Sequence, residues 1–91
     1  MRPFTAKVIK SGTEYWLRVP QEILNEFPTQ EHFSVRIHKP EPPYTTYVPT
    51  METKVRRFGR EHGLSIPKVL ITAGVIRHRM DVAVVLVPRT V

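Results

Sequence analysis

Three arginines surround a glycine in the second half of the chain, with Arg56 and Arg57 before Gly59 and Arg60 directly after it. A guanidinium group presents a planar fork of N–H donors that can grip a phosphate or read a guanine edge in the major groove. Glycine lets the backbone of a turn approach such a ligand closely. The pattern favours a phosphate-binding surface, and the alternative is a solvated basic strand edge that only discourages aggregation.

Positive charge is concentrated in the same half of the chain. The 91 residues carry a formal net charge of +6, with a sequence pI near 10.2. Residues 1–50 have a net charge of +1 and residues 51–91 a net charge of +5. A basic surface attracts nucleic acid or an acidic membrane without further specificity. We therefore expect the surface that faces a polyanion to lie mainly in the second half.

Residues that would support catalysis or metal binding lack the necessary spacing. The chain has no cysteine, and its four histidines do not form a set with metal-ligand spacing. Its serines lack a nucleophile-elbow pattern, and the glycines at 59 and 63 are not followed by the Lys-Ser/Thr of a P-loop. We expect no enzyme activity, no metal and no cofactor.

Length and hydropathy limit the kind of protein. A chain of 91 residues is one small domain with a thin core. Its start is polar, and no apolar stretch approaches the roughly 20 residues that span a membrane. The sequence therefore predicts a soluble, cytoplasmic protein that does not partner a membrane.

The chain repeats itself at an offset of 47 residues. Without a gap, the shift superimposes Lys7-Val8 on Lys54-Val55, Gly12 on Gly59, Glu14 on Glu61, Leu17 on Leu64, Pro20 on Pro67, and Val35 on Val82. Apolar positions between these identities are also kept, so the repeat preserves a core-facing pattern. Because Lys, Arg and Glu alternate around both turns, we expect the equivalent Glu14 and Glu61 to form surface ion pairs.

Each copy predicts the same order of elements: a strand, a glycine turn, a second strand, a short helix and a third strand. The strands are expected at 6–10, 16–19 and 32–38, and at 53–57, 64–66 and 81–87. Pro20 and Pro67 fit the starts of helices at about 21–27 and 68–73, since proline has a suitable fixed φ. Gly74 fits the end of the second helix, and Pro28 the end of the first.

These elements divide the chain into a first repeat at 5–38, a proline-rich linker at 39–50 and a second repeat at 53–87. We expect both repeats to form one compact domain. The linker has room for a short edge strand at 44–48. The last strand is apolar on both faces, which indicates burial on both sides or pairing with another chain.

The second copy resembles the AbrB/MazE-type (SpoVT–AbrB) swapped-hairpin DNA-binding domain. The likeness lies in the segment Lys54-Val55-Arg56-Arg57-Phe58-Gly59-Arg60-Glu61-His62-Gly63-Leu64-Ser65-Ile66-Pro67-Lys68 and in the later Ala73-Gly74-Val75. The first copy follows the same outline with fewer basic residues. In that family two chains swap hairpins to make one small barrel. The resemblance therefore implies a mostly β fold with short helices, an AbrB-like swapped-hairpin β-barrel formed as a single-chain pseudo-dimer of two repeats.

The resemblance also implies a function. Strand and turn cations face DNA in that family, so we expect a transcription regulator that binds double-stranded DNA with an asymmetric footprint. The DNA-binding residues expected here are Arg56, Arg57, Arg60, Lys54, Lys10, Arg18 and Lys7. The alternative for Arg18 is packing beside Trp16, and for the lysines it is a solvated surface.

A second hypothesis is an antitoxin-like or scaffold protein-interaction module. In that case the strand at 82–87 and the proline-rich segment would pair with a protein partner or a further copy of the chain.

Two other groups of residues have a structural and a functional interpretation. Arg77-His78-Arg79 follows the second helix, and a solvated turn is favoured over a second phosphate patch. The aromatic residues Tyr15, Trp16, Tyr44 and Tyr47 are expected to cover the core rather than to stack on bases.

Overall fold

The computed structural model describes residues 3–89, which form a mostly β structure with short helices. The elements follow one another as β1 (Phe4–Ser11), β2 (Glu14–Arg18), α1 (Gln21–Leu24), β3 (His32–His38), β4 (Thr46–Phe58), β5 (Glu61–Ile66), α2 (Lys68–Thr72) and β6 (Asp81–Pro88). This part of the fold prediction is confirmed. Among residues 3–89, no helix has the length and apolar composition needed to cross a membrane.

The strands form a closed ring of antiparallel pairs in the order β1-β2-β5-β4-β3-β6. Side chains alternate between the two faces of a strand, so every second residue points inward. The inward residues include the most deeply buried side chains, which are Val8, Leu17, Phe33, Val35, Ile37, Leu64, Val82, Val84 and Leu86. The core therefore lies inside the ring.

The two repeats are intertwined. In each repeat the first two strands form a hairpin, β1 with β2 and β4 with β5. The third strands pair elsewhere, because β3 lies between β4 and β6, and β6 lies between β3 and β1. Neither third strand pairs with the hairpin of its own repeat, so each copy needs the other to complete its sheet.

A pseudo-twofold axis passes between β2 and β5. These strands pair in a register that places Leu17 opposite Leu64, two residues that the repeat also superimposes. On one side of that pair Tyr15 lies opposite Ile66, and on the other the Val19 amide donates to the His62 carbonyl at 2.9 Å. The repeat seen in the sequence is thus a symmetry of the strand pairing.

The offset between the repeats changes after the helices. Lys7 pairs with Asp81, whereas its equivalent Lys54 pairs with His32, so the third strands are related by 49 residues rather than 47. The gapless superposition of Val35 on Val82 is therefore wrong, and Val35 corresponds to Val84. A shift of two residues keeps every side chain on its face, so the apolar pattern fits both alignments.

Both helices begin directly after a proline, Pro20 or Pro67, as predicted. They end earlier than expected, at Leu24 and Thr72. Gly74 has a φ of +75°, and its amide donates to the Ile71 carbonyl at 3.0 Å. This left-handed residue ends α2, as the sequence predicts, because glycine adopts positive φ without a Cβ penalty.

The predicted linker at 39–50 is shorter in the structure and ends where β4 begins. β4 begins at Thr46 and continues unbroken into the second repeat, and its first part pairs with the end of β3. β6 has a neighbour on each side, and its alternate residues Val82 and Val84 are fully buried. Burial therefore explains the apolar inward face, whereas Val87 on the other face is 45% exposed. The strand offers no unpaired edge to another chain.

Candidate nucleic-acid interface

The outer face of β1, β2, β5 and β4 carries two rows of side chains that the pseudo-twofold axis exchanges. One row runs across the strands through Ile9, Trp16 and Ser65, and we call it the tryptophan row. The other runs through Arg18, Gly63 and Arg56, and we call it the arginine row. Equivalent positions thus differ in chemistry, with isoleucine in place of arginine and tryptophan in place of glycine.

Both cations of the arginine row are held by carboxylates on the same face. Arg18 Nε lies 2.8 Å from Glu61 Oε2, and Arg56 Nη1 lies 3.0 Å from Glu14 Oε1. All four side chains remain 44–60% exposed. The expected surface ion pairs of the two equivalent glutamates are confirmed. The arginines are fixed in position yet open to solvent.

Trp16 lies flat over Gly63. A Cβ atom at position 63 would overlap the indole ring and approach the Leu17 carbonyl oxygen to 2.7 Å, so only glycine fits there. The indole stacks on Phe58 with centroids 4.4 Å apart and planes 7° apart, and Arg56 Cζ is 5.2 Å from the centre of the Phe58 ring. This stack supports the guanidinium of Arg56 from beneath.

Covering Gly63 in this way has a cost. Trp16 is only 7% exposed, and within residues 3–89 its Nε1 has no hydrogen-bond partner. A buried N–H group without a partner destabilises a fold by about 1–3 kcal/mol. The packing of the large ring must offset that penalty. Tyr15 and Tyr47 pack against the core as expected, but Trp16 covers the outer face of the sheet instead, and Tyr44 is 56% exposed.

Two of the predicted lysines extend the same face toward its borders. Lys7 Nζ lies 3.1 Å from Asp81 Oδ1, and Lys54 Nζ lies 3.6 Å from Glu31 Oε2. These equivalent lysines are just over half exposed. They lie where β1 and β4 pair with β6 and β3, so these two predicted cations flank the arginine row at the two borders of the sheet.

The predicted cluster of Arg56, Arg57 and Arg60 is divided by the strand. Arg57 follows Arg56 directly and therefore points to the other face, where it borders a groove beside α1 and its Nε donates to the Gly59 carbonyl at 2.9 Å. Arg60 is exposed in the turn between β4 and β5. The three arginines do not form one patch.

Arg60 nevertheless lies close to the arginine row. It lines a cleft of about 440 Å³ together with Arg18, between the β4–β5 turn and the start of α1. Glu22 and Glu61 line the same cleft, so its charge is mixed. Arg60 extends the arginine row around the end of the sheet.

Lys10 is separated from the other predicted cations. It has the opposite parity to Ile9, and its Nζ lies 5.6 Å from the centre of the Tyr15 ring. His78 meets that ring edge to face at 6.1 Å, so Tyr15 links Lys10 to the loop after α2. Arg77, His78 and Arg79 are exposed in that loop, as expected of a turn.

Within residues 3–89, no group of three or more His, Asp or Glu side chains is placed to hold a metal ion. The chain was also compared with models of protein families, with curated proteins and with solved structures, and none of them matches it.

Sequence reasoning did not identify Phe58 and Gly63 as parts of this surface. A signal for Gly63 was present, because the 47-residue shift superimposes Trp16 on Gly63. When the repeat places the largest side chain at the position of the smallest, and the two positions are related by a symmetry axis, the large side chain can fill the space that the glycine leaves. Phe58 had no comparable signal.

Proposed function

We propose that the chain binds double-stranded DNA through the outer face of β1, β2, β5 and β4 and acts as a transcription regulator. The observation that supports this most directly is the placement of Arg18 and Arg56 on one exposed face, with the exposed Lys7 and Lys54 at its two borders. Cations spaced across a sheet can meet successive phosphates, and arginines can also read guanine.

The ion pairs on this face are compatible with DNA binding. Exposed salt bridges stabilise a fold by only about 0–1 kcal/mol. A phosphate can therefore replace Glu14 at Arg56 or Glu61 at Arg18 at little cost, and the phosphate oxygens accept the same bidentate hydrogen bonds. The carboxylates hold the guanidinium groups in position before binding.

The fold also supports the proposal. The intertwined pairing of two repeats is what a swapped-hairpin barrel would have if one chain supplied both halves, as the resemblance to AbrB/MazE-type domains implies. We infer that the chain is a single-chain counterpart of those dimers. Because the two rows differ, the DNA footprint is asymmetric and is centred on the arginine row rather than on the axis.

Fluorescence anisotropy with a mixed-sequence duplex at several salt concentrations tests this proposal. If all four cations contact phosphates, the logarithm of the affinity falls by roughly 3.6 units per log unit of salt. In the Arg18→Ala/Arg56→Ala variant the affinity drops and the slope decreases by roughly 1.8.

An Arg36→Ala/Lys39→Ala variant is the matched control. It removes the same charge from β3 and the turn that follows, away from the proposed face. Equal losses in the two variants would show that only net charge matters. A duplex that does not bind even at low salt would overturn the proposal.

A further inference from the structure

The two helices occupy equivalent places but expose different chemistry. The exposed positions of α1 and of the two residues after it are polar or acidic, Gln21, Glu22, Asn25 and Glu26, and their equivalents in the second repeat are Lys68, Val69, Thr72 and Ala73. Val69 replaces Glu22, and its exposed fraction of 68% is higher than that of any other large apolar side chain in residues 3–89. Since α1 carries a glutamate at this place, the fold does not require a valine there.

α2 is packed more loosely than α1. Every residue of α2 is described and none is buried, whereas α1 buries Ile23. Leu70 and Ile71 are only partly buried against the core. Leu70 and Ile71 nevertheless turn toward the core, so Val69 is the large apolar side chain of α2 that the rest of the chain leaves open.

The segment that contains Val69 is basic. The segment 67–80 contains Lys68, Arg77 and Arg79 and no acidic residue, and within residues 3–89 none of the three forms an ion pair. Lys10 adjoins the loop through Tyr15 and His78. Two carboxylates adjoin the segment, Glu14 in a groove with Lys68 and Asp81 two residues after Arg79, and they already pair with Arg56 and Lys7.

A second copy of the chain does not supply the complement to this surface. Its α2 side has the same charge. Its α1 side has Glu22, Glu26 and Glu31, but Arg57 and Arg60 line the adjoining grooves and Lys54 pairs with Glu31. DNA phosphates would match the cations but would leave Val69 in water.

We propose that the α2 surface, formed by Lys68, Val69, Arg77 and Arg79, binds an acidic segment of a partner protein that also carries apolar side chains. The carboxylates of that segment meet the three cations, and an apolar side chain covers Val69. Such a segment accounts for the two differences between the helices, which are the exposed valine in place of Glu22 and the basic charge around α2. The proposal does not depend on DNA binding, since none of these four residues belongs to the arginine row, although Lys68 lines a groove together with Glu14, the partner of Arg56.

NMR titration of the isotope-labelled full chain tests this inference. The probes are a short synthetic peptide of glutamate and leucine, the same peptide with serine for leucine, and a mixed-sequence DNA duplex. The glutamate–leucine peptide is expected to shift the amides of residues 68–73 and 77–79. Its affinity should exceed that of the serine peptide by about tenfold, the effect of burying one aliphatic side chain.

Val69→Glu copies the residue of the first repeat and should leave the fold intact. It is expected to weaken binding of the glutamate–leucine peptide by about tenfold or more and to leave duplex binding unchanged. Glu22→Gln, at the equivalent place on α1, should strengthen peptide binding no more than slightly.

Three results would overturn the inference: equal binding of the two peptides, peptide shifts confined to other residues, or no effect of Val69→Glu. Duplex shifts centred on residues 68–73 and 77–79 would instead assign this surface to DNA. Loss of duplex binding in the Arg18→Ala/Arg56→Ala variant concerns only the outer sheet face, so the two proposals can fail separately.

Discussion

The tryptophan row and the arginine row occupy equivalent places on one sheet and differ in what they do. In the first, Trp16 covers the sheet and packs on Phe58, and in the second, Arg18 and Arg56 stand in solvent on either side of Gly63. The ring of one row fills the space above the glycine of the other. Two identical chains would place the same residue at both positions. Joining both repeats in one chain allows one row to support the sheet and the other to remain charged.

A side chain at position 63 should disrupt the packing of Trp16 on Gly63 and have the largest effect on stability. Gly63→Ala places a methyl group against the Trp16 ring and the Leu17 carbonyl. We expect a loss of about 3 kcal/mol in the free energy of unfolding, measured by urea denaturation.

Gly59→Ala is the control, because nothing lies within 4 Å of its Cβ position and only its φ of +63° opposes alanine. A left-handed residue costs about 1–2 kcal/mol. Equal losses at the two glycines would contradict the packing between the rows.

Removing the aromatic support should have the next largest effect. Phe58→Ala deletes the ring that stacks on Trp16 and lies beneath Arg56. We expect the free energy of unfolding to fall by about 2 kcal/mol, combining lost burial with lost stacking. Phe58→Leu should lose about half as much, and a change in Trp16 fluorescence would report the altered contact. Unchanged stability in Phe58→Ala would show that the stack is not part of the support.

Adding cations to the tryptophan row tests whether the arginines alone distinguish the two rows in DNA binding. Ile9→Arg/Ser65→Arg adds the two cations that the pseudo-twofold axis would copy from Arg56 and Arg18. If the face binds DNA, affinity for a duplex at low salt should rise about tenfold and the salt slope should steepen by roughly 1.8. An unchanged slope, measured by anisotropy, would show that the DNA does not reach the tryptophan row.

The smallest effect should come from the carboxylates. Glu14→Gln/Glu61→Gln removes both ion pairs of the arginine row and should change the free energy of unfolding by less than about 1 kcal/mol. Duplex affinity should rise a few-fold, because the glutamates no longer compete with phosphate. Glu41→Gln, in the turn before β4, is the control for the single charge removed at each of the two sites. Weaker duplex binding in the double variant would contradict the exchange of carboxylate for phosphate.

Much of the fold could be predicted because the repeat preserves local rules. Pro20 and Pro67 mark the helix starts, and Gly74 ends α2, since each depends on backbone geometry that one residue controls. The change of offset after the helices could not be seen. Val82 and Val84 are both apolar and have the same parity, so the sequence does not choose between them.

The candidate surface was only partly predictable. Arg18 and Arg56 share a face, and Lys7 and Lys54 lie at its borders. The position of Arg57 on the opposite face could have been assigned from the alternation of side chains along β4. The ion pairs of Arg18 and Arg56 join residues 43 and 42 positions apart, and that proximity depends on the pairing of β2 with β5. The exposure of Val69 also follows only from tertiary structure.

The crossed pairing of the third strands has a consequence for assembly. Since β3 completes its sheet on β4 and β6 on β1, the half-molecules on either side of residues 39–45 would each present unpaired strands if separated. The covalent connection gives each half a high effective concentration of the other. Folding of the intact chain is then a unimolecular event, whereas a pair of fragments cut within this turn would reassemble in a manner that depends on their dilution.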